Sequence, residues 1–156
     1  SGRPSIIIFD RGLMDAKGYM PPETWQRVLG ELNSNHCDSG REKAGVSEEY
    51  CLLRYDGVVH LVTAADGAPK FYKRGNVTDD SGNTVFRKET VEEAVELDVK
   101  MRQVWEMHPR QHIIRNTGSF SAKMDATAGT VISLALESHP HLQQELAAVQ
   151  HERANK

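Results

Sequence analysis

No stretch of this chain stays apolar for the roughly 20 residues that a bilayer crossing requires, and the N-terminus lacks the apolar centre of a signal peptide. A cytoplasmic protein without a transmembrane segment is therefore expected. Cysteine is scarce: Cys37 and Cys51 are the only two, at a spacing that matches neither a zinc nor a redox motif. Free thiols in a reducing compartment fit that pattern. Neither sign of charge dominates, since 19 Lys and Arg stand against 22 Asp and Glu for a net charge of -3. That balance gives no general attraction to nucleic acid or to an anionic membrane surface. The seven histidines do not form a metal motif. His108 and His112 are split by Pro109 and cannot share a helix face, while His139-Pro140-His141 has no acidic or cysteine companion nearby, so packing and surface roles are expected of them. Internal repeats are also missing. What is present is ordinary for one globular domain: 156 residues, 38% hydrophobic and 26% charged.

The most organised stretch is Ile6-Ile7-Ile8-Phe9-Asp10-Arg11-Gly12, where four apolar residues stop on a carboxylate, an arginine and a glycine. Four consecutive apolar residues without alternation suit a strand buried on both faces of a parallel sheet. Such sheets hold ligands beyond the carboxyl ends of their strands. Two further runs repeat the pattern. Gly57 to Val62 passes into Thr63-Ala64-Ala65-Asp66-Gly67, and His112-Ile113-Ile114-Arg115 ends on Asn116-Thr117-Gly118-Ser119-Phe120.

Between these runs the signals are helical or loop-like. Residues 12–20 read as loop, and Pro21-Pro22 opens a helix whose stripe is Trp25, Val28, Leu29 and Leu32. The segment Gly40 to Ser47 imitates a phosphate-cradling loop, but Val46 stands where that loop needs lysine and no strand precedes it. Ser47 reads instead as the N-cap of a short helix ending near Arg54, with Glu48 and Glu49 in its first turn. Thr90-Val91-Glu92-Glu93 is a capping box opening a helix that buries Ala94, Val95, Leu97, Met101, Val104 and Trp105, and Pro109 stops it. Met124 to Leu136 reads as helix, and His141 to Arg153 as a last amphipathic segment. Lys70, Lys73, Arg74, Arg87 and Lys88 crowd a polar stretch that suits either a solvated loop or a lid over an anionic ligand.

Three strands separated by helices fit an α/β domain with one ligand-binding edge. That edge collects Asp10, Arg11, Asp66, Arg87 and Asn116. A strand-end carboxylate can orient hydrated Mg²⁺ or take a proton from an attacking hydroxyl, and arginines stabilise a transferring phosphoryl group. The plain alternative is that Asp10 caps a turn and pairs with Arg11. A phosphotransferase with an aspartate nucleophile is disfavoured, because the second aspartate expected two positions on is Gly12.

Three stretches, Phe9 to Asp15, Leu53 to Ala68 and Arg87 to Ala94, together resemble the P-loop NTPase domain of the TRPL translocation-defect protein family, which is related to P-loop kinases of the nicotinamide-riboside-kinase type. The likeness runs from about Ser5 to Asp125. It implies a three-layer, P-loop kinase-like fold: a parallel sheet with flanking helices, binding Mg²⁺ and ATP or GTP. In that fold Asp10 and Arg11 stand beside Mg²⁺ and the phosphoryl acceptor, with Mg²⁺ held by Asp10 through water. Arg87 matches a lid arginine, the loop Asn116, Thr117 to Phe120 lies at the nucleotide base, and Lys123 belongs to the same ending. Asp66 joins these cofactor-binding positions. The family is linked to phosphoinositides and to membrane-protein trafficking, so a nucleotide-responsive interaction module without significant catalysis is the alternative to an NTPase or kinase. The family's first strand and its phosphate loop would precede residue 1, between the strands at Ile6 and Val58. The expectation is therefore the C-terminal part of such a domain over residues 5–137, inactive without the missing cradle. Residues 1–4 are expected as boundary residues and 138–156 as an amphipathic helix or linker.

Overall fold

The computed structural model describes residues 5–34, 45–78, 82 and 84–143. They form a mixed α/β arrangement: a two-stranded parallel sheet, a separate two-stranded antiparallel pair, and helices around them.

The first helices build the core. A short helix α1 (Asp15–Tyr19) leads into α2 (Pro22–Ser34), followed by α3 (Glu48–Leu53). Ser47 caps α3 by accepting a hydrogen bond from the Tyr50 N–H. Met14, Trp25, Leu29, Cys51 and Leu52 pack with Trp105, from beyond the fourth helix, into one buried cluster. Both indoles are satisfied as they are buried. Trp25 Nε1 donates to Glu48 Oε1 at 2.7 Å, and Trp105 Nε1 donates to Asp15 Oδ1 at 2.8 Å. Gly12 is required beneath Trp105, since a Cβ there would lie 2.5 Å from the ring.

The parallel sheet pairs β1 (Val58–Leu61) with β4 (Gln111–Ile114), in the register Val58 to Gln111 and Leu61 to Ile114. Parallel neighbours need a crossover. Here it contains a 3₁₀ turn (Pro69–Phe71), the antiparallel strands β2 (Gly75–Thr78) and β3 (Thr84–Arg87), and α4 (Val91–Val104). The capping box that opens α4 is complete: the Thr90 hydroxyl accepts from the Glu93 N–H, and Glu93 Oε2 accepts from the Thr90 N–H. His108 is buried as a packing residue with a defined tautomer. Its Nδ1 accepts from the Arg110 N–H, so Nε2 carries the proton and donates to the Tyr55 carbonyl at 3.0 Å. Helix α5 (Phe120–Ser138) is capped by Ser119 and packs on β1 and β4, with Leu134 pressed against Gly57.

Several expectations are corrected. Ile6 to Phe9 is not a buried strand: the four side chains are 58–75% exposed, and the segment has no ladder partner among the described residues. A strand needs a neighbour for its N–H and C=O groups, and none of the described strands lies beside it. The parallel sheet consequently has two strands where three were expected. The loop expected over 12–20 contains α1, Leu32 is exposed, and the polar stretch around Lys70 to Lys88 contains the 3₁₀ turn and the β2–β3 pair. Helix α5 begins at Phe120, four residues before the expected start. Residues 40–44 of the imitation phosphate loop and most of the segment from His141 to Arg153 lie outside the described residues.

Candidate functional site

Beyond the carboxyl ends of β1 and β4 the chain leaves an open cavity of about 990 Å³. The position follows from topology, because both parallel strands release their loops at this edge and the crossover elements close around it. The loop after β1 is fixed by Asn116, which follows β4. Its side-chain amide donates to the carbonyls of Thr63 at 2.7 Å and Asp66 at 2.6 Å. Lys123, one turn into α5, donates to Asn116 Oδ1 at 2.8 Å and to the Val62 carbonyl at 2.5 Å. Burial pushes the Lys123 ammonium below its ordinary value, opposed by the charge of Asp98.

Cations pair with aromatic rings in the wall. Arg11 lies 5.9 Å from the Tyr19 ring centre, Lys70 lies 5.0 Å from Phe71, and Arg87 lies 5.9 Å from Tyr72; all six residues line the cavity. These are cation–π distances, and each ring holds a charged group at the cavity edge. Tyr72 is tied down by its hydroxyl, which donates to the Glu89 carbonyl at 3.2 Å. Phe120 adds an exposed ring at the start of α5. Arg11 is also the one described non-glycine residue with a positive φ, 83°.

Deeper in, Asp98 of α4 is 6% exposed and serves three partners. Its Oδ1 accepts from the Thr63 N–H at 2.8 Å and faces His60 Nε2 at 2.9 Å, while its Oδ2 is 3.0 Å from Arg102 Nε. Arg102 in turn reaches the Asp66 carboxylate at 3.8 Å.

Of the residues expected at the site, the structure brings Arg11, Arg87, Asn116, Phe120 and Lys123 to this cavity. Asn116 and Lys123 act there as braces of the β1 loop, their polar atoms engaged by the protein itself. Thr117 lines a smaller neighbouring cavity of about 310 Å³ between β4 and α5. Asp66 faces Arg102, outside the lining. Asp10 is exposed and outside the lining too. Among the described residues no three His, Cys, Asp or Glu side chains converge on a point where an ion would sit. Asp10 is a single exposed carboxylate, and Mg²⁺ is usually held by one or two carboxylates together with waters and substrate phosphates. His60, Asp98 and the rings of Tyr19, Phe71 and Tyr72 join the site beyond the residues expected there. A signal for Asp98 was available: it sits between Ala94, Leu97 and Met101 on the apolar face of α4, where an unpaired carboxylate would not be tolerated.

Fold and site together define a mixed α/β chain with a cationic, ring-lined cavity at the edge of a parallel sheet. Set against family models, curated proteins and solved structures, the chain matches none. Among the described residues no helix is long and apolar enough to cross a membrane.

Proposed function

We propose that the cavity binds a nucleotide, ATP or GTP as its Mg²⁺ complex, and that the chain belongs to a three-layer, P-loop kinase-like domain of the kind its sequence resembles. One observation carries the reading: three cation–ring pairs and an exposed phenylalanine surround a single cavity at the carboxyl edge of parallel strands. A nucleotide offers what such a wall recognises. Its base supplies a π face for Phe71, Tyr72 or Phe120, and its phosphates supply charge for Arg11, Lys70 and Arg87.

The exposed Ile6 to Phe9 segment fits the same reading. A further parallel strand, lying between it and β1 and ending in a phosphate-cradling loop, would turn these four side chains into core and set Asp10 at a strand end. The described residues supply positive side chains and lack the backbone cradle that gives tight phosphate binding. Weak affinity is therefore expected of this chain, with a dissociation constant below about 1 mM.

Calorimetric titration with Mg-ATP and Mg-GTP tests the reading. Arg87→Ala should weaken binding by about tenfold, the loss of one charge-assisted contact. Absence of binding by the wild-type chain at several times that concentration contradicts it.

A further inference from the structure

We propose that His60 makes this cavity proton-linked: a phosphate-bearing ligand enters together with a proton, which is taken up by the His60 imidazole against Asp98. The inference rests on the cavity being an anion site, and it names a residue and a linkage that the nucleotide reading does not require.

The geometry begins with Asp98. Its Oδ1 receives the Thr63 N–H and lies 2.9 Å from His60 Nε2, so a carboxylate oxygen faces that ring nitrogen and Nε2 carries hydrogen. In a neutral imidazole the other nitrogen, Nδ1, is then a bare lone pair. Among the described residues it has no hydrogen-bond partner, and the His60 side chain lines the cavity. A lone pair repels the oxygens of an anionic ligand. Protonation reverses this, because the ring then donates from both nitrogens, one to Asp98 and one toward the ligand.

The charges around the ring set the direction of coupling. From α4 come Asp98 and, behind it, Arg102. The loop after β1 contributes Asp66, held by Arg102, and α5 contributes Lys123, held by Val62 and Asn116. Across the cavity stand Arg11, Lys70, Arg87 and Glu89. On the neighbouring strand the residue in register is the uncharged Ile113, with His112 one position before it and Arg115 two after. Arg11, Lys70, Arg87 and Lys123 line the same cavity as the ring, and Asp98 touches it. A polyanion bound among these cations places negative charge beside the ring, and an opposite charge within a few ångströms favours the ionised form.

The test uses the 156-residue chain and its His60→Gln variant, whose amide can still donate to Asp98 but does not titrate. Each is titrated calorimetrically with sodium tripolyphosphate and with Mg-ATP near pH 7, in two buffers of different ionisation heat, which counts the protons taken up on binding. The wild type should take up more protons than the variant with either ligand. Its affinity should fall more steeply as pH rises from 6 to 8, by up to about tenfold per pH unit, the limit for one linked proton. Equal uptake by the two proteins overturns the proposal and leaves the nucleotide reading standing. His60-dependent uptake with tripolyphosphate but no binding of Mg-ATP supports the proposal and removes the nucleotide reading. No binding of either ligand overturns both. If the variant does not fold, the NMR shifts of the wild-type His60 ring decide: movement to the imidazolium position on addition of tripolyphosphate at constant pH supports the linkage, and unchanged protonation at saturation overturns it.

Discussion

Arg11 and Gly12 are adjacent and carry opposite constraints. Arg11 holds a φ of 83°, a left-handed backbone that a residue with a Cβ adopts at a cost of about 1–3 kcal/mol, while its guanidinium lines the cavity over Tyr19. Strain of this kind persists where the surroundings enforce it, and here it aims a cation at the proposed anion site. Arg11→Gly should raise stability by up to about 1 kcal/mol in urea unfolding while weakening Mg-ATP binding. A loss of stability would show that the conformation is not strained. Gly12 works the other way: a Cβ would enter the Trp105 ring at 2.5 Å, and the ring is fixed by its bond to Asp15. Gly12→Ala should therefore destabilise the chain by about 1–3 kcal/mol, the usual range for overpacking, and a change within experimental error would show that the ring moves aside. Cys51 illustrates the chemistry of burial. Burial pushes its thiol up, so alkylation of Cys51 should be slow in the folded protein and fast in denaturant.

At the scale of elements, local chemistry was the most legible part of the sequence. Ser47 and Thr90 announced their helices because a cap is written in three or four neighbouring residues, and both caps form as read. Thr90→Ala should cost about 1 kcal/mol of stability, measured by thermal or urea unfolding. The strands at Val58 and Gln111 were legible as apolar runs, and they pair in parallel around a crossover as that pattern implies. The run Ile6 to Phe9 shows the limit of such reasoning. Its composition is that of a strand, but a strand is completed by a neighbour, and no described residue offers one. The β2–β3 pair was hidden for the opposite reason: Gly75-Asn76-Val77-Thr78 is short and mostly polar, and only its partner Thr84 to Arg87 stabilises it as a ladder. The candidate site divides in the same way. Arg11 and Arg87 were legible as cations at element ends, whereas the His60–Asp98 pair joins residues 38 positions apart and depends on how α4 lies against β1.

For the whole molecule, two regions have different roles. The aromatic core around Trp25 and Trp105 joins α1, α2 and α3 to the end of α4, and the cavity opens where β1 and β4 end. An ion pair ties the first region together: Lys17 Nζ lies 2.8 Å from Glu48 Oε2. The hydrogen bond from Lys17, helped by that from Trp25 and opposed by partial burial, holds the Glu48 carboxyl below its usual value of 4.5. A carboxyl group lowered by folding adds stability that is complete above its unfolded value and is lost as pH falls through the folded one. Stability should thus decline below about pH 4.5 in the wild type and less steeply in Glu48→Gln, when urea midpoints are compared between pH 3 and 6. Because a third of this side chain is exposed, solvent screening keeps the contribution below about 1 kcal/mol.

Where a nucleotide sits is read directly by amide NMR during titration with Mg-ATP and Mg-GTP. A nucleotide in the cavity should produce saturable shifts, with a midpoint below about 1 mM, clustered at Arg11, His60 to Ala64, Lys70 to Tyr72, Arg87 and Gly118 to Lys123. Shifts that are absent at saturating ligand, or that gather away from the ends of β1 and β4, would contradict that placement.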